Sequence, residues 1–154
     1  MAPKTVTVER AWLKSPAFRQ LSGTQKTVLL DFMMKRQLKK YNKHWEITNN
    51  GDIEYCYSEA EKKGIPRSTF MKCIDALIAN GFIDIAHSGS GGKKGDKNLY
   101  WISNRWEKWG TDSFIKKKRP KDGRCKRGFA AHPDRRKKNI STQKCNRTVT
   151  QKET

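Results

Sequence analysis

The sequence predicts an α+β fold that is mostly helical, and two observations carry the prediction. Between Ile53 and Asp84, turn and capping residues divide the chain into strand, helix, tight turn, helix and strand, in that order. A loop rich in glycine and lysine follows, and a strand at residues 99–102 returns after it. This is the element order of a winged helix-turn-helix. We therefore predict such a domain over residues 1–114, with a wing of two to three strands.

The N-terminal part is expected to supply the scaffold helices. Ser15 caps a short helix that ends near Leu21, and the proline after the cap suits a first helical turn. Ser22 caps a longer helix that runs to about Lys40, and residues 39–45 form an exposed connection. The apolar face of the longer helix consists of Val28, Leu29, Phe32, Met33 and Leu38. Its basic last turn complements the negative helix end or lies against phosphate.

The two central helices are separated by a tight turn. After a short strand at residues 53–57, Ser58 provides an N-cap for the first of them. Gly64 ends this helix, because glycine enters the left-handed conformation without steric cost. The second helix begins at Pro66 and ends at a left-handed cap formed by Gly81. Its buried face consists of Phe70, Ile74, Leu77 and Ile78.

The opposite face of this second helix is polar and basic near its N-terminus. Short polar groups and cations at that position are suited to base edges and phosphates in a DNA major groove. We predict DNA contacts from four residues of this face: Arg67, Ser68, Thr69 and Lys72.

The predicted wing spans residues 87–97, between strands at 82–85 and 99–102. Its four glycines and three lysines cannot pack a core, but they can follow a phosphate backbone. Lys93, Lys94 and Lys97 are therefore predicted DNA contacts. A nucleotide-binding P-loop is disfavoured, because Lys93 is followed by a second lysine in place of Ser or Thr and no helix starts there.

The charge of the chain predicts an anionic partner. The formal net charge is +19 in 154 residues. No apolar run approaches the roughly 18 residues that span a bilayer, and the N-terminus lacks the apolar segment of a signal peptide. We expect a cytoplasmic protein associated with the nucleoid, and no membrane partner.

Basic charge is concentrated in residues 115–154, which hold 15 Lys and Arg against 3 acidic residues. With so few large apolar side chains, this segment cannot offset the entropy cost of folding. We predict a disordered basic tail that adds affinity for nucleic acid; solvated charge without a partner is the alternative. Its first cluster consists of Lys116, Lys117, Lys118 and Arg119.

No catalytic or metal-binding pattern is present in the sequence. The four cysteines are too widely spaced for a zinc knuckle, and reduced free thiols are the plain interpretation. The three histidines stand alone, without the pairing that a nicking enzyme needs. Trp106 and Trp109 are expected to pack against the first helices and not to stack on bases. We expect no enzyme activity, no cofactor and no metal.

Five short segments carry a resemblance to a known group of proteins. They are Ser15-Pro-Ala-Phe-Arg, Asn49-Asn-Gly-Asp-Ile, Gly64-Ile-Pro-Arg-Ser-Thr-Phe, Asn80-Gly-Phe-Ile-Asp-Ile and Asn104-Arg-Trp. Together they resemble winged-helix proteins encoded in bacterial genomes and mobile elements, some of which look like the DNA-binding halves of plasmid or phage replication initiators. The resemblance covers residues 11–114. It implies double-stranded DNA binding through the second helix and the wing.

Three functions remain open from the sequence. The first is sequence-specific binding of double-stranded DNA, as a transcriptional regulator or as a replication or mobile-element maintenance factor. The second is nonspecific DNA or RNA binding driven by the basic tail. The third is a protein-interaction module that uses the winged helix to hold a partner. Winged helices often bind two-fold sites as homodimers, but no heptad seam is visible, so the oligomeric state is open.

Overall fold

The structure is a computed structural model that describes residues 5–89 and 96–120. Within these residues the chain forms five α-helices, one short 3₁₀ helix and two small antiparallel sheets. The helices are α1 (Arg10–Lys14), α2 (Pro16–Arg19), α3 (Gly23–Lys35), α4 (Tyr57–Lys62) and α5 (Arg67–Ala79). The strands are β1 (Leu38–Tyr41), β2 (His44–Ile47), β3 (Ile53–Glu54), β4 (Ile83–His87) and β5 (Leu99–Ile102), and the 3₁₀ helix is Arg105–Lys108.

The predicted α+β class agrees with the structure, and the compact unit extends through Arg119, beyond the expected boundary at residue 114. The predicted contacts at Lys93 and Lys94, and most of the predicted tail, lie outside the described residues. In the part of the chain that is described, no helix has the length and apolar character needed to cross a membrane.

The larger sheet has the strand order β3-β5-β4, with both pairs antiparallel. Ile53 of β3 and Ile85 of β4 both pair with Tyr100 of the central strand β5. The three strands therefore hold the segment before α4 beside the segments that flank the wing. Together with the order of the helices, this arrangement is compatible with a winged helix.

The end of α3 differs from the sequence prediction. Ser22 caps the helix as expected, and it forms a capping box in which Gln25 accepts the Ser22 N–H at 2.9 Å. The helix nevertheless ends at Lys35 and does not continue to Lys40. The amide of Asn49 accounts for this end: its Nδ2 donates to the carbonyl oxygen of Lys35 at 3.0 Å. A side chain distant in sequence thus takes the place of the next helical turn.

The predicted exposed connection at residues 39–45 is a β-hairpin. Strands β1 and β2 pair antiparallel from Leu38 opposite Ile47 to Tyr41 opposite His44. The connecting turn contains Asn42 with φ 51°, a left-handed conformation that asparagine tolerates better than most residues. The prediction was wrong because Leu38 continues the apolar spacing of α3 and so suggested a longer helix. The conformation of Leu38 is instead decided by its pairing with Ile47 and by the turn of the hairpin.

The start of α4 is also earlier than predicted. Strand β3 ends at Glu54 instead of Tyr57, and Cys56, not Ser58, lies at the N-cap. Tyr57 joins the helix, and its ring packs edge-on against Phe70 at 5.6 Å between centroids. The aromatic residues that suggested a longer strand are therefore used for core packing.

The two predicted glycine stops are confirmed. Gly64 has φ 80° after α4, and Gly81 has φ 83° after α5. A Cβ atom at Gly81 would lie 2.7 Å from the backbone nitrogen of Trp106, so a side chain is excluded there for steric reasons as well. The buried face of α5 is also as predicted: Phe70, Ile74, Leu77 and Ile78.

An aromatic cluster joins the two ends of the domain. Trp106 stacks on Phe82, with centroids 6.0 Å apart and an interplanar angle of 7°. Trp12 of α1 meets both rings edge-on, at 5.7 and 5.3 Å. The expected packing of Trp106 against the first helices is thus confirmed. Helix α1 itself was not anticipated, because its five residues are too few to reveal a period.

A buried carboxylate of α3 contacts one residue that follows β3 and one that follows α4. Asp31 accepts a hydrogen bond from the Tyr55 hydroxyl at 2.6 Å and pairs with the Lys63 ammonium at 3.0 Å. Burial and the hydrogen bond to Asp31 raise the pKa of Tyr55. Burial opposes the charge of Lys63, but Asp31 and Glu59 outweigh it and raise the pKa of Lys63. Lys35 adds a second link to Glu59 at 2.7 Å.

Replacing Tyr55 with phenylalanine should destabilise the protein by about 1–3 kcal/mol, because the Asp31 carboxylate loses a charge-assisted hydrogen bond in a buried site. The free energy of unfolding is measured by urea denaturation. Tyr41→Phe is the matched control, since it makes the same chemical change at a residue that is 53% exposed. Equal stabilities of the two variants would contradict the role of the Asp31 contact.

Alkaline pH should weaken the fold through Tyr100. Burial raises the pKa of this tyrosine from its ordinary 10.0 to about 12. Because the folded chain holds the phenolic proton more tightly, this contribution to stability is complete below pH 10 and is lost as the pH rises towards 12. We expect Tyr100→Phe to flatten the fall in the free energy of unfolding over this range, measured by denaturation at each pH. An unchanged slope would refute the assignment.

Candidate nucleic-acid interface

Helix α5 brings three of its four predicted contact residues to the solvent. Arg67, Ser68 and Lys72 are exposed, and Thr69 is half-buried at the side of the helix. Ser68 and Lys72 are four residues apart, so they lie one above the other on the same face. The opposite face is buried against α3 and β4. The polar face therefore has a fixed orientation relative to the core.

Arg67 is held at the start of α5 by an aromatic ring. Its guanidinium carbon lies 4.5 Å from the centroid of Tyr57 in α4. The Tyr57 ring is itself packed against Phe70. The contact keeps the Arg67 charge at the turn between the two helices, where the exposed face of α5 begins.

Asp75 lies on the same exposed face, one turn beyond Lys72. Its carboxylate is paired with Arg119: Nε lies 3.0 Å from Oδ1, and Nη2 donates to Oδ2 at 3.2 Å. Arg119 Nη1 also donates to the Tyr57 hydroxyl at 3.5 Å. The guanidinium thus spans α4 and α5. It offsets the one negative charge that Asp75 adds to this face.

The first residues of the predicted tail lie against the domain. Lys117 pairs with Asp84 of β4 at 3.3 Å, and Arg119 pairs with Asp75 of α5. Lys116 and Lys118 are exposed. The segment from residue 115 to 119 was expected to be disordered, but it has ion pairs that direct alternate side chains to the domain. The two acidic partners could not be identified from local sequence.

Arg105 anchors this segment, and sequence reasoning gave it no role. Its guanidinium donates two hydrogen bonds to the Asp84 carboxylate, from Nε at 3.0 Å and from Nη2 at 2.5 Å. Nη2 also donates to the carbonyl oxygen of Ile78 at 3.0 Å, and Nη1 donates to that of Ile115 at 2.8 Å. One side chain therefore connects the end of α5, strand β4 and the basic segment. The short motif Asn104-Arg-Trp was its only sequence signal.

At the base of the wing, Lys97 is engaged in an ion pair. Its ammonium lies 2.7 Å from Glu54 Oε2 of β3, and this hydrogen bond and charge raise the pKa of Lys97. His87 Nε2 lies 2.8 Å from Asp96 Oδ1 across the same loop. The predicted wing contact Lys97 is half-exposed, but its charge is shared with Glu54. Among the described residues, the partner of the Lys97 ammonium is Glu54 and not one of the predicted contact residues of α5.

The described residues contain no cluster of three side chains suited to a metal ion. Cys56 and Cys73 are free thiols, and burial raises the pKa of Cys73. Cys125 and Cys145 lie outside the described residues.

The β1–β2 hairpin adds a surface that the sequence prediction overlooked. Tyr41 and Trp45 are 53% and 65% exposed, respectively. Lys39, Lys40 and Lys43 surround them. The available signal was the alternation of lysine and aromatic residues in Lys-Lys-Tyr-Asn-Lys-His-Trp, which was interpreted as a connection.

Comparison with protein-family models finds no match to this chain, and comparisons with curated proteins and with solved structures find none either.

Arg105→Lys should lower the free energy of unfolding by about 2 kcal/mol, because lysine cannot reproduce the fork that holds Asp84 and two carbonyl groups. Both ion-pair side chains are largely buried, at 16% and 17% exposure, so solvent cannot replace the lost contacts fully. Urea denaturation provides the measurement, and the exposed Arg19→Lys is the control. Indistinguishable midpoints and slopes for the two variants would show that Arg105 has no anchoring role.

Proposed function

We propose that this protein is a winged-helix protein that binds double-stranded DNA in a sequence-specific manner. Helix α5 enters the major groove and reads base edges with Arg67, Ser68 and Lys72. The wing between β4 and β5 contacts the adjacent backbone. The observation that carries the proposal is the polar N-terminal face of α5, which is exposed while the opposite face is fixed in the core.

The connectivity of the domain supports this assignment. Helices α4 and α5 are separated by a short turn at Gly64, and α3 packs against α5 as a scaffold. Strands β4 and β5 pair on either side of the loop that carries the predicted wing lysines. A helix-turn-helix with this sheet order leaves α5 as the element that projects into a groove.

Electrostatics supports an anionic partner for the same face. A lone Asp75 carboxylate beside Lys72 would repel phosphate. The Arg119 guanidinium pairs with that carboxylate, so the α5 face retains the positive charge of its two cations. Lys116 and Lys118, which precede Arg119 in the chain, are exposed. They add affinity for nucleic acid that is independent of base sequence. Thr69, half-buried, contributes at the edge of the contact.

The biological role follows from where the bound site lies. A promoter site gives transcriptional regulation, and a site at an origin gives a replication or mobile-element maintenance factor. Both roles need binding and no catalytic chemistry. We place the protein in the cytoplasm with the nucleoid, as a monomer or as a homodimer on a two-fold site.

The test is enrichment of a random-sequence duplex library on the full-length protein at about 150 mM salt, where sequence-blind attraction is weakened. We expect a recovered motif. The double variant Arg67→Ala/Lys72→Ala should reduce the preference for that motif by at least about 30-fold, because each of the two base contacts contributes roughly 1–3 kcal/mol. Competition between motif and scrambled duplexes measures the preference.

The matched control is Lys116→Ala/Lys118→Ala, which removes the same number of charges from exposed positions outside α5. It should weaken binding to all duplexes equally and make the salt dependence shallower. If both double variants weaken all duplexes to the same extent, the protein binds nonspecifically and the proposal is wrong.

A further inference from the structure

The hairpin β1–β2 carries a surface that duplex binding by α5 leaves unused. We call the outer part of the hairpin, from residue 39 to residue 46, the hairpin surface, and all of its residues are exposed. Trp45 is 65% exposed. Tyr41, on the paired strand, is 53% exposed, and two large aromatic side chains left open on one short hairpin indicate an interaction surface where a single one would not.

The strand register places a cation beside this tryptophan. Lys40 lies directly opposite Trp45 in the antiparallel pair, so both side chains share one face of the hairpin. Leu38 and Ile47 form the next pair inward on the same face, and Ile47 packs against the core. Ile47 thus anchors the hairpin, while Trp45 and Lys40 extend beyond the core.

The other face repeats the combination of an aromatic ring and a cation. Tyr41 lies opposite His44, and the Lys39 ammonium is 5.3 Å from the centroid of the Tyr41 ring. Lys43 adds a third lysine in the turn, against the single acid Glu46. Both faces are therefore suited to a ligand with negative charge and flat apolar groups.

The base of the hairpin is fixed to the domain by hydrogen bonds. Asn49 Oδ1 accepts from the backbone nitrogen of Gln37 at 2.7 Å, and Asn49 Nδ2 donates to the carbonyl of Lys35 at 3.0 Å. Thr48 N donates to the carbonyl of Gln37 at 2.9 Å. The aromatic side chains are thus presented on a strand pair held at its base, which lowers the entropy cost of binding.

We propose that the hairpin surface binds single-stranded nucleic acid, with the Trp45 ring stacked on an unpaired base and Lys40 and Lys43 near the phosphates. Phosphates supply the negative charge and bases supply the flat apolar faces. In a duplex those base faces are already stacked on each other, so a tryptophan gains this contact only where bases are unpaired. The site is independent of α5 and of the duplex binding proposed above.

The experiment measures binding of the full-length protein to labelled oligo(dT) and oligo(U) by fluorescence anisotropy, at about 150 mM salt to limit sequence-blind attraction. We expect Trp45→Ala to lower affinity for single strands about tenfold, since stacking on one base accounts for a loss of that size. Trp45→Phe should retain most of the affinity because it keeps an aromatic ring. Higher affinity for oligo(dT) identifies single-stranded DNA as the ligand, and higher affinity for oligo(U) identifies RNA.

Two controls separate stacking from general effects. Met34→Ala removes a 58% exposed apolar side chain from α3, and it should leave oligonucleotide binding unchanged. Lys14→Ala/Lys108→Ala removes two exposed charges elsewhere, and it should weaken binding less than Lys40→Ala/Lys43→Ala. Quenching of tryptophan fluorescence by oligo(dT) should decrease in Trp45→Phe.

Two outcomes would overturn the inference. One is equal affinity of Trp45→Ala and Met34→Ala for both oligonucleotides. The other is an equal loss for a duplex and for a single strand in Trp45→Ala, which would make the hairpin a duplex contact. Failure of the α5 proposal is distinguishable, because Arg67→Ala/Lys72→Ala acts on duplex preference and leaves the Trp45-dependent loss for oligo(dT) intact.

Discussion

The burial of one face of α5 is the constraint on which the rest of the structure depends. Phe70, Ile74 and Leu77 are almost fully buried, and they pack the helix against α3, α4 and β4. Because the polar face lies on the other side of the same helix, this packing also fixes the direction in which Ser68 and Lys72 face the solvent. Core stability and the geometry of the candidate interface therefore have the same physical origin.

The positive charge of the protein is only partly available to a partner. Lys35 and Lys63 neutralise Glu59 and the buried Asp31, and Lys97 is paired with Glu54. Others, such as Lys40 and Lys72, are exposed. A net charge counted from the sequence cannot separate these two groups, because acidic partners close in space are distant in the chain. The orientation of the unpaired cations determines which surfaces attract an anion.

The structure also separates two surfaces of different chemistry. The face of α5 carries cations and short polar groups on a rigid helix, which suits hydrogen bonding to base edges and phosphates. The hairpin carries exposed rings flanked by lysines, which suits stacking. Arg105 belongs to neither surface, yet it holds Asp84 and the carbonyl of Ile115, and so directs the basic segment along the domain.

The sequence by itself determined the elements that depend on local chemistry. Ser22 and Gly81 marked helix ends, and the spacing of apolar residues in α5 identified its buried face and hence the exposed candidate contacts, because caps and periodicity act within a few residues. Tertiary structure decided the end of α3, the hairpin that presents Trp45, and the pairing of Arg119 with Asp75. These depend on side chains brought together from distant segments, whose contact energies have no local pattern in the chain.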